Sequence, residues 1–296
     1  MAASLTETRV AAPLAERLVA DSGADVVLHW LGQAGFLIQA GRHRLLIDPY
    51  LSDTLAEKYR GRATPHERLM PAPIEPEALG AVDLVIVTHH HTDHMDPGTL
   101  APLAARLPGL RFVVPKASAA EAMRRAGVSP ERLIAMEAGE KTEPLPGLVV
   151  TATRAAHETL ERDAEGHHRF LGYGLSFAHP ARAPLTLFHS GDTVPFPGQV
   201  EEVRALRADL ALLPVNGRSA ALAAQGIAGN LTLDEALALT GAVGIPAMIA
   251  HHHGLFAFNT RSLPEIEAKA AEPGLGARLV PARIGSEIRL AAADRA

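Results

Sequence analysis

A short apolar run, Leu84–Thr88, leads without a break into Thr88-His89-His90-His91-Thr92-Asp93-His94, and this junction constrains the fold more than any other part of the chain. It contains the pattern H-x-H-x-D-H. From the chain's own His and Asp frequencies, a chance match anywhere is roughly one in a thousand. The run before it reads as a buried strand, and in open α/β sheets functional groups gather outside the carboxyl ends of strands. In a tight loop there, His89 and His91 can point the same way and grip one metal, while Asp93 and His94 turn toward a second. Neutral imidazole and carboxylate are the ligands that Zn²⁺, Mn²⁺ or Fe²⁺ accept without sulfur. Sulfur is not on offer, because the 296-residue chain has 15 histidines and no cysteine. Disulfides and thiolate ligands are thereby excluded.

Charge and hydropathy narrow the function classes. A formal net charge of -5 argues against a nucleic-acid binder that works by bulk electrostatics. The segment Met1 to Ala20 carries Glu7, Arg9, Glu16 and Arg17, so it lacks the apolar core of a signal peptide. No stretch approaches the roughly 18 unbroken apolar residues of a membrane span. The expected compartment is the cytoplasm, with no membrane and no nucleic-acid partner. Apolar residues make up 47% of the chain, enough for a large core, and a single domain over residues 1–296 is expected.

Leu14–Ser22 reads as a short amphipathic helix, and Val26–Trp30, Phe36–Ala40 and Arg44–Asp48 as a β-meander. Residues 52–76 hold Lys58, Arg60, Arg62, Arg68 and four prolines, and read as an irregular insertion or lid. From Asp83 the rhythm alternates. Strands are expected at Leu84–Thr88, Arg111–Val114, Leu148–Thr153, Gly172–Phe177, Leu185–Phe188, Leu210–Leu213, Ala247–Ala250, Leu279–Pro281 and Glu287–Leu290. Helices are expected at Pro97–Arg106, Ser118–Ala126, Leu231–Thr240 (capped by Thr232 or Asn230) and Leu263–Ala271. This alternation favours sheets with helices packed outside them, in two related halves.

Three further residues of metal-ligand type follow expected strands directly. His157 comes after Leu148–Thr153, Asp192 after Leu185–Phe188, and His252, within His251-His252-His253, after Ala247–Ala250. Four strand ends thus present such residues, which argues for one convergent site.

The ordered set His89-His90-His91-Thr92-Asp93-His94, His157, Ser190-Gly191-Asp192 and His252 resembles the motifs of the metallo-β-lactamase superfamily. Trp30-Leu31-Gly32-Gln33-Ala34-Gly35-Phe36, Ile47-Asp48-Pro49 and His252-His253-Gly254-Leu255-Phe256 resemble the branch that includes L-ascorbate-6-phosphate lactonase. The likeness covers about residues 26 to 290 and leaves residues 52–76 unmatched. It implies an αββα four-layer sandwich with the site at one edge. It also implies that His89, His91 and His157 hold one metal, that Asp93, His94 and His252 hold another, and that Asp192 bridges the two divalent ions, Zn or Mn.

A water shared by two such cations has its pKa lowered toward neutrality, which makes a metal-bound hydroxide available as nucleophile. Two carboxylates and that hydroxide leave about one net positive charge, so an anionic small-molecule substrate is expected. Asp93 is the expected catalytic residue, orienting the nucleophile or shuttling its proton. Candidate substrate contacts are His253, Asn216, Arg218, Lys58 and Arg60. His90 is a lesser candidate, whereas His251 and His189 read as structural and His29, His43, His66 and His179 as core or surface histidines. Gly32 and Gly35 read as turn residues. The expected activity is hydrolysis of a lactone or other carboxylic ester. The alternatives are a phosphodiesterase resembling the N-acyl phosphatidylethanolamine phospholipase D group and a metal-binding protein without turnover.

Overall fold

The chain is described as a computed structural model covering residues 3–19, 21–179 and 181–292. In chain order the elements are β1 (Ser4–Arg9), α1 (Leu14–Arg17), β2 (Val26–Gly32), β3 (Gly35–Ala40), β4 (His43–Ile47), α2 (Thr54–Lys58), β5 (Leu84–Ile86), α3 (Pro97–Arg106), β6 (Arg111–Pro115), α4 (Ala119–Ala126), β7 (Leu133–Met136) and β8 (Lys141–Leu145). There follow β9 (Leu148–Arg154), β10 (Leu171–Phe177), β11 (Leu185–His189), α5 (Gln199–Leu206), β12 (Leu210–Pro214), α6 (Ala220–Ala223), α7 (Leu233–Val243), β13 (Ala247–His251), α8 (Leu263–Ala270), β14 (Arg278–Pro281) and β15 (Ser286–Ala291).

One sheet runs β1-β15-β2-β3-β4-β5-β6-β7 and the other β14-β13-β12-β11-β10-β9-β8. Each has an antiparallel part and a parallel part. The parallel parts are β4 to β7 in the first sheet and β11 to β14 in the second. Alternation along single strands shows how the layers stack. On β5, Leu84 and Ile86 enter the core between the sheets. Val85, with the following Val87, faces the opposite way, into a second core with Leu100, Leu103 and Ala122 of α3 and α4. The other sheet repeats this, with Leu210 and Leu212 facing inward, and Ala211 and Leu213 packed with Ala236 and Leu239 of α7 and Ile266 of α8. A strand buried on both faces needs a continuous apolar run, which is why these segments read as such in the sequence. Three cores between four layers make an αββα sandwich, the architecture that the resemblance implies.

Helix ends follow local chemistry. Asp96 caps α3 by accepting from the Gly98 N–H, with Pro97 at the first helical position. Thr232 and Glu235 form a reciprocal capping box at α7. Gly127 closes α4 in the left-handed conformation.

Several expectations need correction. The helix expected over Leu14–Ser22 ends at Arg17, because Leu18 turns to an extended conformation; residue 20 of that span lies outside the described residues. Three strands go unread: β1 and β8 carry too weak an apolar signal, and β7, though apolar, is only four residues long. β1 is mostly exposed or half-buried, and β7 and β8 are half-exposed too. β1, β7 and β8 lie at sheet edges, where one side has no strand neighbour and burial is incomplete. Residues 52–76 are docked against the body. Leu55 packs with Tyr50, Leu255 and Phe256, Leu69 N–H donates to the Leu255 carbonyl at 2.9 Å, and Arg68 donates to the Tyr50 carbonyl at 3.0 Å. No helix among the described residues is long and apolar enough to cross a membrane.

Candidate metal centre

The turn after β5 is tight: the His94 and Met95 N–H groups both donate to the His91 carbonyl, at 3.1 and 2.8 Å. That turn sets His89, His91, Asp93 and His94 around one point. The ends of β9, β11 and β13 bring His157, Asp192 and His252 to the same place. Of the four groups of such side chains whose ligand atoms lie within 4.8 Å of one another among the described residues, three meet here: His89/His91/His157, His89/His94/Asp192 and Asp93/His94/His252. The chain thus assembles all seven residues singled out as metal candidates.

Asp192 sits between the halves. Its Oδ1 lies 3.3 Å from both His94 Nε2 and His252 Nε2, and its Oδ2 lies 3.9 Å from His157 Nε2. Asp93 Oδ2 is 3.9 Å from His94 Nε2 and 3.8 Å from His252 Nε2. Bonds of about 2.0–2.1 Å to a tetrahedral cation set neighbouring ligand atoms about 3.3 Å apart. The buried His89 Nε2, His94 Nε2, His252 Nε2 and Asp192 Oδ1 have no aligned hydrogen-bond partner. Buried polar atoms are normally satisfied, so converging orphan nitrogens around an orphan carboxylate oxygen fit divalent cations as their common partner.

The electrostatics agree. Burial pulls His94 down, but Asp192, Asp48 and Asp93 around it outweigh burial and raise its pKa well above the usual value. Burial pushes Asp93 and Asp192 up, and their histidine neighbours more than offset that, so both carboxyls titrate below the usual range. Burial, followed by neighbouring imidazoles, holds His89 well below its ordinary value and His91 at about 4. His89 and His91 are thus held in the neutral form that binds metal, and the ionised carboxylates that raise His94 make a negative field suited to a cation in place of its proton.

Asp48 does work that sequence reasoning missed. Its Oδ2 accepts from His94 Nδ1 at 2.7 Å and from the Thr88 hydroxyl at 2.6 Å, and its Oδ1 accepts from the Thr88 N–H at 2.8 Å. This fixes the His94 tautomer and turns Nε2 into the site. The readable signal was its place just after β4, the parallel neighbour of β5. Gly191, before Asp192, has φ +60, and a Cβ there would lie 2.7 Å from the Leu171 carbonyl and 2.9 Å from Thr88 Cβ. Only glycine permits that approach.

Above these residues opens a cavity of about 560 Å³ whose lining includes Gln33, His90, His91, Asp93, His157, Asp192 and His252. Of the expected substrate contacts, Lys58 lines it. The other four lie off its lining. His253 is buried and stacks on Trp30 at 5.0 Å. Asn216 bonds Asn259 and Asn230. Arg218 is held by both carboxylate oxygens of Glu235, each at 2.6 Å. Arg60 is exposed and lies off the lining. His66, read as a core or surface histidine, instead reaches the cavity, stacked on Tyr59 at 4.2 Å beside Phe256 and Phe258. Arg169 is a second wall residue missed in the sequence.

Comparison with known proteins agrees with this geometry. Residues 43–253 match the Beta-lactamase superfamily domain. A UPF0173 metal-dependent hydrolase of Rubrobacter xylanophilus is 27% identical over 261 residues, 88% of this chain and 94% of that protein. A UPF0173 metal-dependent hydrolase of Methanosarcina mazei is 27% identical over 268 residues, 90% of this chain and all (100%) of that protein. Among solved structures, an isothiocyanate hydrolase from Delia radicum gut bacteria superposes with a TM-score of 0.69 at 19% identity, covering 90% of this chain and 100% of that one. A sandwich of this topology and a matched segment that contains the whole histidine turn, His157, Asp192 and His252 lead to one assignment: the chain belongs to the β-lactamase superfamily, in its metallo-β-lactamase-fold form.

Proposed function

We propose that this protein is a metal-dependent hydrolase with a dinuclear centre, acting on a lactone or other carboxylic ester of an anionic small molecule. The observation that carries the reading is the set of unpartnered, buried imidazole nitrogens converging on Asp192, whose two oxygens face different histidines. His89, His91 and His157 would hold one ion, Asp93, His94 and His252 the other, with Asp192 shared. Bound divalent cations, Zn or Mn, supply Lewis acidity and draw the pKa of a water toward neutrality. The protein's residues do the rest. His94 is oriented by Asp48. Asp93 stays ionised, lines the cavity, and is the group placed to orient a nucleophile and take its proton.

Lys58 and Arg169 line the cavity with no ion-pair partner among the described residues, and Glu158 and Glu161 line it too. These wall charges offset one another, so the pull on an anion comes chiefly from the centre's residual positive charge. The relatives named as metal-dependent hydrolases support the reaction class.

The test is metal analysis of the purified protein, followed by a panel of lactones, carboxylic esters, bis-aryl phosphates and isothiocyanates. Hydrolysis of lactones or esters, lost in His91→Ala and Asp192→Ala, is expected. Turnover of phosphodiesters alone would reject the ester reading, and bound metal without turnover of any class would reject the enzyme reading.

A further inference from the structure

The turn between β2 and β3 belongs to one sheet, and the end of β13 to the other. Gln33, at the tip of that turn, touches both. Its side-chain Nε2 donates to Asp93 Oδ2 at 2.9 Å. Its main-chain carbonyl accepts from the His252 N–H at 2.8 Å and from the Trp30 indole Nε1 at 3.0 Å. Gln33 is buried, lines the cavity, and holds a left-handed backbone with φ +51. A non-glycine residue in that region costs of order 1 kcal/mol and persists where surrounding bonds over-determine it. Here three hydrogen bonds do so. His252 is itself left-handed, with φ +61.

Asp93 and His252 form one half of the centre together with His94. His89, His91 and His157, the other half, receive no hydrogen bond from Gln33. We propose that Gln33 is a positioning residue for the Asp93/His94/His252 half alone. Its amide fixes the Asp93 carboxylate, and its carbonyl fixes the backbone from which the His252 ring projects. The inference rests on the dinuclear reading above.

Partners that orient a metal ligand typically change metal affinity about 10–100-fold. Gln33→Leu and Gln33→Met remove the amide donor, keep comparable bulk and leave the main-chain carbonyl in place. Zn²⁺ or Mn²⁺ is titrated into the metal-stripped full-length protein by calorimetry, with emission of Trp30, the chain's single tryptophan, as a second readout. The wild type is expected to take up two equivalents. In both variants one equivalent should weaken about 10–100-fold and the other stay unchanged. An unaltered Trp30 spectrum of the metal-free variant shows that the carbonyl clamp is intact. Two equivalents bound as in the wild type would overturn the proposal, and so would equal weakening of both, which marks a general structural role. A wild type that binds fewer than two equivalents removes the dinuclear reading itself, and this inference with it.

Discussion

The chain carries two identical runs, His89-His90-His91 and His251-His252-His253, each at the carboxyl end of a buried strand, and the fold uses them in opposite ways. In the first run the outer two rings face the centre, and His90 lines the cavity. In the second the middle ring faces the centre and the outer two are core. His251 stacks on His189 at 4.9 Å, and His253 on Trp30 at 5.0 Å. The backbone makes the difference. The first run opens a tight turn in which two N–H groups share the His91 carbonyl. The second continues β13 to His251, and then His252 breaks to φ +61, pinned by the Gln33 carbonyl. A residue's type fixes what its ring can bind; the local backbone fixes whether the ring arrives.

The contrast can be broken by exchange of roles. His252→Ala and His91→Ala should both abolish hydrolysis and weaken metal affinity by more than the about 10–100-fold typical of a residue that merely orients a ligand. Full metal binding by His252→Ala would end the distinction between the runs. Asp48→Asn should cost about 10–100-fold in metal affinity, read by competition with a chelator, because the amide no longer fixes the His94 tautomer.

His253→Ala should keep both metal equivalents and lose about 1–3 kcal/mol in denaturant unfolding, as expected when a buried stacked ring is removed. His29, outside both runs, shows burial acting away from the centre. Burial and then Arg17 lower its pKa to about 4. A histidine depressed in the folded state gives stability that is fully present above its unfolded pKa near 6.5 and is lost as pH falls toward 4. In metal-free protein, His29→Gln should flatten the loss of stability across that window, by on the order of 1–3 kcal/mol. The smallest effect belongs to His90→Ala, which should raise KM by a few-fold at most, with kcat and metal content unchanged; loss of metal there would place the middle ring of the first run in the centre.

Legibility followed the same line. The floor of the cavity could be read because H-x-H-x-D-H, His157, Asp192 and His252 each follow a strand with an apolar signal, and three of those strands, β5, β11 and β13, are buried on both faces. The walls could not. Tyr59, His66, Phe256 and Phe258 come from segments far apart in the chain that meet only when residues 52–76 dock on Leu255 and Phe256. Arg218 looked like a substrate contact because it follows β12, yet Glu235, whose side chain also serves the α7 capping box, takes both ends of its guanidinium.

The sequence by itself determined the chemistry of the donor set, nitrogen and oxygen without sulfur, and the layered fold that delivers it, because ligand type and burial on two faces are written in local residue identity and period. Tertiary structure decided which histidine of each run faces the centre, that Asp48 and Gln33 serve it, and what lines the walls. Those depend on hydrogen bonds between residues from 40 to more than 200 positions apart, such as Thr88 to Asp48 and His252 to Gln33, and no local pattern encodes which distant carbonyl or carboxylate will be at hand.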